Sequence, residues 1–305
     1  MQLLQKLRER AGLASFTRLV EDLEREASRV SETIEAFLTG SRKPLIIAYN
    51  RQGYLPASTA LWHVSTVDPE LNVFISDVPA VSLYGLAYRE GWRILVFASN
   101  PYAGLLNIMQ VARLLNHEML AVTVKPADER VKSILDRYNP VYIDRGDELE
   151  ASLVMAFAVN HALSGLYKGK LEARGARLFQ HSREGFVGLV DELVERYSDP
   201  LAKILSLEDA VITSSKLMEA PSLFLNEALR RVGLKTRYEY AESVTGPGNL
   251  VLVSTSVEEY YVRELKFKYA RMGLKAFELM FNTDPLEAGL YLALLSLYVD
   301  RLRIL

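Results

Sequence analysis

The hydrophobic pattern of the chain changes its period near residue 40. Across residues 2–38, apolar positions recur at intervals of three and four between charged ones, which predicts one or two amphipathic helices before the first strand. After that point, short apolar runs alternate with longer segments that keep the helical period. We predict a strand for each apolar run. These strands are 45–49, 71–75, 94–98, 119–124, 141–143, 210–213, 236–240, 250–253 and 275–279.

The segments between these runs predict helices at 55–64, 81–90, 105–115, 129–138, 148–167, 184–197, 221–232, 257–272 and 284–303. Residues 168–181 are polar and contain glycine, so we expect a connection there, and Asp199-Pro200 predicts a helix end. Wholly apolar strands that alternate with helices are typical of a parallel sheet covered on both faces. We therefore predict an α/β fold with N-terminal helices at 1–40, a first domain at 41–182 and a second domain at 183–305.

Composition excludes several classes of function. The 305 residues include 36 Lys and Arg against 38 Asp and Glu, a balance that argues against a general binder of nucleic acid or anionic membranes. There is no cysteine, and the four histidines occur singly, so neither a thiol nucleophile nor a metal site is expected. No signal peptide begins the sequence, and no uncharged apolar stretch reaches the roughly 20 residues of a membrane span. We expect a cytoplasmic protein.

The stretch LIIAYNRQGYLPASTAL, residues 45–61, has the form of a strand, a loop and a helix. Parallel α/β proteins usually hold anionic ligands at such loops. Arg51 is suited to a bidentate contact with a phosphate or carboxylate, and Gly53 would let the backbone approach that ligand. The alternative is that Gly53 supplies a positive φ in the turn while Arg51 is solvated.

Other strand ends carry similar polar groups. Ser99 and Asn100 follow the strand at 94–98, where Pro101 would also suit an ordinary helix N-cap. Ser214 and Ser215, with Lys216, follow the strand at 210–213, and Ser254-Thr255-Ser256 follow the strand at 250–253. Each group is interpreted either as an anion site or as a turn with a capped helix.

Glu227 lies in the helix at 221–232 among Leu223, Phe224 and Ala228. Burial on a mostly apolar face would raise its pKa and prepare it as a general base. The alternative is an exposed helical glutamate. Signatures of dinucleotide, P-loop, nucleophile-elbow and zinc-protease sites do not occur in the sequence.

In element order and length the chain resembles the sugar isomerase (SIS) family, and within it the archaeal bifunctional phosphoglucose/phosphomannose isomerases. The stretch at 45–61 stands where that family has a strand and a Gly/Ser-rich loop, and ILVFASNPYAGLLNIMQVARLLNHEMLAVTV, residues 94–124, stands where it has its phosphate loop. Asn226-Glu227 stands at the family's Asn-Glu pair, and Val299-Asp300-Arg301-Leu302-Arg303 is similar to its closing I-D-x-L-K.

The resemblance implies two SIS-type flavodoxin-like domains in a homodimer that binds a phosphorylated sugar and isomerises it without metal or organic cofactor. It implies Glu227 and Arg303 as catalytic residues. Together with the strand-end groups above, it gives Arg51, Gly53, Ser99, Asn100, Ser214 and Ser215 as the candidate substrate-binding residues.

Three departures open a second hypothesis. The serines and threonine of the family's phosphate loop are reduced here to Ser99 and Asn100, with Pro101 and Tyr102 interposed. Residues 241–246 contain no histidine where the family has its ring-opening histidine, and Leu149-Glu150-Ala151 replace an arginine of the family site. An isomerase needs a ring-opening group as well as a base. The chain is therefore either an isomerase of the phosphoglucose/phosphomannose type or a non-catalytic sugar-phosphate sensor or scaffold. A DNA-binding regulator is disfavoured because the N-terminal helices are few and not notably basic.

Overall fold

The computed structural model describes residues 2–39, 41, 43–102, 104–245 and 248–303. The chain divides into two compact units. The first unit is Glu21–Phe186, and the second unit combines Met1–Val20 with Val187–Leu305. Helix α1 (Gln2–Arg8) belongs to the second unit, and the long helix α2 (Leu13–Leu38) begins in the second unit and ends in the first.

The first unit is built on a parallel five-stranded sheet in the order β2-β1-β3-β4-β5. The strands are β1 (Leu45–Asn50), β2 (Val73–Asp77), β3 (Arg93–Ala98), β4 (Glu118–Val124) and β5 (Val141–Ile143). The helices are α3 (Tyr54–Val67), α4 (Val78–Ala80) with a following π-helical turn at Val81–Gly85, α5 (Leu105–Leu114), α6 (Glu129–Leu135), α7 (Glu148–Leu166) and α8 (Glu172–Glu184).

Burial explains this arrangement. Every residue of β3 is buried, and β1 is buried except at Tyr49, as expected for central strands covered on both faces. On one face, Ile46, Val96, Ile108 and Met109 belong to a core in which no side chain is more than slightly exposed. Helix α7 is long and apolar enough to cross a membrane, but 78% of its most apolar window is buried within the protein, as in a core helix.

The second unit repeats the plan with four parallel strands in the order β7-β6-β8-β9. The strands are β6 (Asp209–Ser214), β7 (Lys235–Tyr238), β8 (Asn249–Thr255) and β9 (Lys275–Phe281). Its further helices are α9 (Val190–Leu205), α10 (Glu219–Arg231), α11 (Glu259–Arg271) and α12 (Pro285–Arg301). The predicted fold class, two parallel sheets flanked by helices, is therefore confirmed.

Three sequence predictions of local structure are wrong. The connection expected at 168–181 is mostly helix α8, whose buried stripe is limited to Gly175, Leu178 and Ser182. Helix α9 continues through Pro200 because residues on both sides of the proline, among them Tyr197 and Leu201, are buried on one face. The helix expected at 81–90 is only a π-helical turn that ends at Gly85.

Candidate functional site

The sheet of the first unit has a switch point between β1 and β3, where the chain turns from building one side of the sheet to building the other. In open α/β sheets, ligands bind in the crevice outside the carboxyl ends of the strands at such a point. Strand β1 ends at Asn50 and is followed by Arg51, and β3 ends just before Ser99 and Asn100. The fold therefore brings these predicted residues to one edge of the sheet.

Asn50, the first residue of the candidate loop, has no role in the sequence analysis, yet its side chain joins the two strand ends. Its Nδ2 donates to the Asn100 carbonyl at 2.8 Å, and its Oδ1 accepts from the Asn100 N–H at 3.3 Å. The Ser99 hydroxyl donates to the Asn50 carbonyl at 3.5 Å, and both side chains are buried. A polar residue at the end of an apolar strand was the available signal for Asn50.

Arg51 takes a left-handed backbone conformation, with φ of 46°, which places strain on a residue other than glycine. Its side chain is 60% exposed, and Nη1 lies 3.5 Å from Oε1 of Glu148. The Asn100 Nδ2 donates to the same Oε1 at 3.3 Å. Glu148 begins helix α7 and was also missed by sequence reasoning, which considered only the three residues after it. Its carboxylate offsets the positive charge of Arg51.

Gly53 has a φ of −59°, so the alternative that it supplies a positive φ is wrong. A Cβ added to Gly53 would lie 2.1 Å from the carbonyl oxygen of Phe97 on β3. The neighbouring Gln52 carbonyl accepts a hydrogen bond of 2.6 Å from the Ser152 hydroxyl of α7. Glycine is therefore required here by the close packing of the turn against β3.

The loop after β3 does not use Pro101 as the first residue of a helix, so that N-cap interpretation is wrong. Helix α5 begins at Leu105, and Gly104 is its N-cap with φ of 78°. The Asn100 Oδ1 accepts from the Tyr102 N–H at 2.9 Å, which stabilises the turn. Ala103 lies outside the described residues. The first N–H groups of a helix have no partner inside it, so the start of α5 offers donors beside Asn100.

In the second unit the switch point lies between β6 and β8, and its hydroxyls bond within the protein. The Ser214 hydroxyl donates to the Ser215 carbonyl at 3.0 Å and shares a hydrogen bond of 3.2 Å with the Tyr238 hydroxyl. Burial raises the pKa of Tyr238 to about 12, so its phenol is neutral. The Ser215 hydroxyl accepts from the Met218 N–H, and Lys216 forms an ion pair with Glu219.

The hydroxyls that follow β8 cap a helical turn. Thr255 and Glu258 form a reciprocal capping box, in which the Glu258 carboxylate accepts from the Thr255 N–H at 2.9 Å. The Ser256 hydroxyl donates to Asn282 Oδ1 at 3.0 Å. Of the two interpretations left open for this group, the structure supports the capped turn.

Glu227 and Arg303 belong to one ionic network in the second unit. Glu227 Oε1 lies 3.1 Å from Arg231 Nε, and Arg231 Nη1 lies 3.9 Å from Asp300 Oδ2. Arg303 Nε lies 3.2 Å from Asp300 Oδ1, and the Asp300 side chain is fully buried. Glu227 is 33% exposed and paired with a cation, so of its two interpretations the one with burial on an apolar face is not what the structure shows.

No family model matches the chain, and no curated protein matches it in sequence. Solved structures match it over nearly its whole length. The C-terminal domain of glucosamine-fructose-6-phosphate aminotransferase from Francisella tularensis has a TM-score of 0.63 at 11% identity, covering 94% of this chain and 96% of that one. Tagatose-6-phosphate ketose/aldose isomerase from Escherichia coli has a TM-score of 0.60 at 11% identity, covering 98% and 93%.

Glucosamine-6-phosphate deaminase from Thermotoga maritima has a TM-score of 0.59 at 14% identity, covering 94% of this chain and 92% of that one. At such identities the likeness establishes a shared fold. All three names include a 6-phosphate sugar.

Proposed function

We propose that this protein binds a phosphorylated sugar at the β1/β3 switch point of the first unit. The observation that carries the proposal is the convergence of Arg51, Ser99 and Asn100 at that edge, beside the start of α5. The proposal is supported by the fold shared with proteins whose names include sugar phosphates. An ionised phosphate accepts hydrogen bonds from guanidinium, amide and helix N-terminal N–H groups.

Glu148 competes with the phosphate for the same hydrogen-bond donors. Its Oε1 already accepts from Arg51 and from the Asn100 amide, so a phosphate has to replace the carboxylate as their acceptor. At 3.5 Å and 3.3 Å both contacts are long for hydrogen bonds to an ionised group. We expect the Arg51 side chain, which is largely exposed, to turn from Glu148 toward the phosphate when the ligand binds.

Isomerisation of the phosphoglucose/phosphomannose type is the reaction we assign to the protein if it turns its ligand over. That reaction moves a proton between adjacent carbons, and Glu227 is the candidate base. Arg231 and Arg303 supply positive charge within the same network, which would stabilise an oxyanion as it forms. Ser214 and Ser215 stay candidates for substrate contact in the second unit.

A non-catalytic sensor or scaffold is the second candidate function. It is favoured by one specific observation: the polar groups at these positions already have protein partners. Asn50 bonds Asn100, Ser214 bonds Tyr238, and Glu227 pairs with Arg231. When the donors and acceptors of a site already bond within the protein, their hydrogen bonds to a ligand add less binding free energy than those of unpaired groups.

Thermal unfolding with a panel of hexose and pentose phosphates tests the proposal. A ligand at 100 times its Kd stabilises the folded protein by about 2.7 kcal/mol, which raises the Tm. We expect Arg51→Ala and Ser99→Ala to remove the shift, and Arg113→Ala, an exposed arginine in the last turn of α5, to keep it. If no sugar phosphate raises the Tm, the proposed function is wrong.

Turnover separates the two candidate functions. An aldose-ketose isomerase assay with the ligand found above should show activity that Glu227→Gln removes while the Tm shift remains. Binding without turnover would instead support the sensor. We further infer a cytoplasmic homodimer that needs no metal or organic cofactor and binds neither nucleic acid nor membranes; light scattering on the purified protein tests the dimer.

A further inference from the structure

A cavity of about 290 Å³ opens beside the loop that carries Ser99 and Asn100. Helix α6 contributes Val131, Ile134 and Leu135 to its lining, so that wall is aliphatic. Helix α5 contributes Leu106 and Asn107, and the loop contributes Tyr102. None of these side chains is among the proposed phosphate contacts.

Tyr102 connects the cavity to the candidate phosphate site. Its N–H donates to the Asn100 Oδ1 at 2.9 Å, and its phenol oxygen accepts from the Asp128 N–H at 3.4 Å. The backbone of Tyr102 and the tip of its side chain are thus each held by a hydrogen bond, while 55% of the residue stays exposed. An aromatic ring fixed in this way offers a binding face at a low cost in side-chain entropy.

The chemistry of the lining selects a planar aromatic group that carries polar edges. Aliphatic side chains and a tyrosine ring favour a ligand with a flat apolar surface. Every nucleobase has such a surface and can stack on an aromatic side chain. The exposed Asn107 amide at the rim can both donate to and accept from the edge of a base. An engineered cavity of about 150 Å³ holds benzene, so about 290 Å³ is ample for a base.

We propose that the ligand of this site is a nucleoside diphosphate sugar, with its base in this cavity and a phosphate at Arg51 and Asn100. The inference rests on the proposed function, because the phosphate contacts are those of the sugar-phosphate site. It adds a recognition element that a simple sugar phosphate cannot use. Tyr102 and Asn107 are then the residues that determine specificity.

Calorimetric titration of the natural protein tests this inference. Glucose 1-phosphate is compared with UDP-glucose and ADP-glucose, which contain the same phosphorylated sugar and add a nucleotide. A stacked base contributes about 1–3 kcal/mol, so the nucleotide sugars should bind about 5- to 150-fold more tightly. Tyr102→Ala and Asn107→Ala should reduce that advantage without weakening glucose 1-phosphate, and Tyr102→Phe should keep most of it.

Tyr88→Ala is the matched control, since Tyr88 is 84% exposed and does not line the cavity. Equal affinity for glucose 1-phosphate and the nucleotide sugars would overturn the inference and leave the proposed function intact. An advantage that Tyr102→Ala does not reduce would also overturn it. If neither kind of ligand binds, the inference is wrong, and the thermal panel of hexose and pentose phosphates decides the proposed function separately.

Discussion

Arg93 offers the sharpest test of how the first unit is held together. It begins β3 and is fully buried, and its guanidinium caps the end of helix α2. Nη1 donates to the Phe37 carbonyl at 2.8 Å and Nη2 donates to the Ser41 carbonyl at 2.7 Å. Burial lowers the pKa of Arg93, but arginine stays protonated in proteins, so a cation remains at the negative end of the helix dipole.

Arg93→Met keeps a long side chain and removes every donor. Two hydrogen bonds from a charged group contribute about 1.5–3 kcal/mol each, and the change removes the donors to these partly buried carbonyls. Relief of the cost of burying a cation offsets part of that loss. We expect a net destabilisation of about 3 kcal/mol. With an m-value of about 2 kcal/mol/M, the urea midpoint falls by about 1.5 M.

Tryptophan fluorescence is suited to this measurement because both tryptophans, Trp62 and Trp92, lie in the first unit. Arg113→Met makes the same chemical change at an exposed position and should alter stability by about 0.5 kcal/mol at most. Arg93→Lys keeps the charge but not the planar fork of donors. Its loss of stability should lie between those of Arg93→Met and Arg113→Met. If the free energy of unfolding of Arg93→Met lies within about 0.5 kcal/mol of that of Arg113→Met, the capping role of Arg93 is wrong.

Three further outcomes follow from contacts described above. Gly53→Ala should destabilise the protein by about 2 kcal/mol or more, because its Cβ would overlap the Phe97 carbonyl, whereas Gly146→Ala has no neighbour within 4 Å and should leave the Tm unchanged. Arg231→Met should cost about 2 kcal/mol in urea unfolding followed by circular dichroism, since Glu227 loses its ion pair and buried Asp300 loses one cationic partner while keeping Arg303; an unchanged midpoint would contradict this. Because the pKa of Tyr238 is about 12 when folded and about 10 when unfolded, the unfolded state releases this proton first and stability falls as pH rises from 10 to 12. Tyr238→Phe should weaken that pH dependence of the Tm, and an unaltered profile would refute the assignment.

The sequence predicted the sheets well because their signal is local. An apolar run such as Leu45–Asn50 has the length and composition of a buried strand, whatever lies elsewhere in the chain. Every predicted strand overlaps an observed one, although β2 begins two residues later than expected. The carboxyl ends of parallel strands lie at one edge of the sheet, so the sequence also predicted that Arg51 and Asn100 lie close together.

What the sequence could not supply depends on contacts between distant residues. Helix α8 has no capping signal because its N-cap is Leu171, whose side chain has no hydrogen-bond acceptor. Leu171 and Glu172 also take left-handed conformations that the sequence does not indicate, with φ of 61° and 46°. A Cβ on Gly175 would meet the Lys170 carbonyl at 1.8 Å, so that glycine is needed for packing and does not mark a loop. Glu148 lies 97 residues from Arg51 along the chain, and only the folded sheet brings them together.

The second unit is built from two segments that are far apart in the chain, and this constrains the order in which the protein can fold. The Lys6 ammonium donates to the Leu302 carbonyl across 296 positions, and the Tyr298 hydroxyl donates to the Ala11 carbonyl across 287. During synthesis, the first unit has all its strands once Phe186 has left the ribosome, whereas helix α1 packs against α9 and bonds to Leu302, both of which are made later. Its apolar face, which includes the buried Leu7, stays exposed to chaperones and proteases throughout that interval.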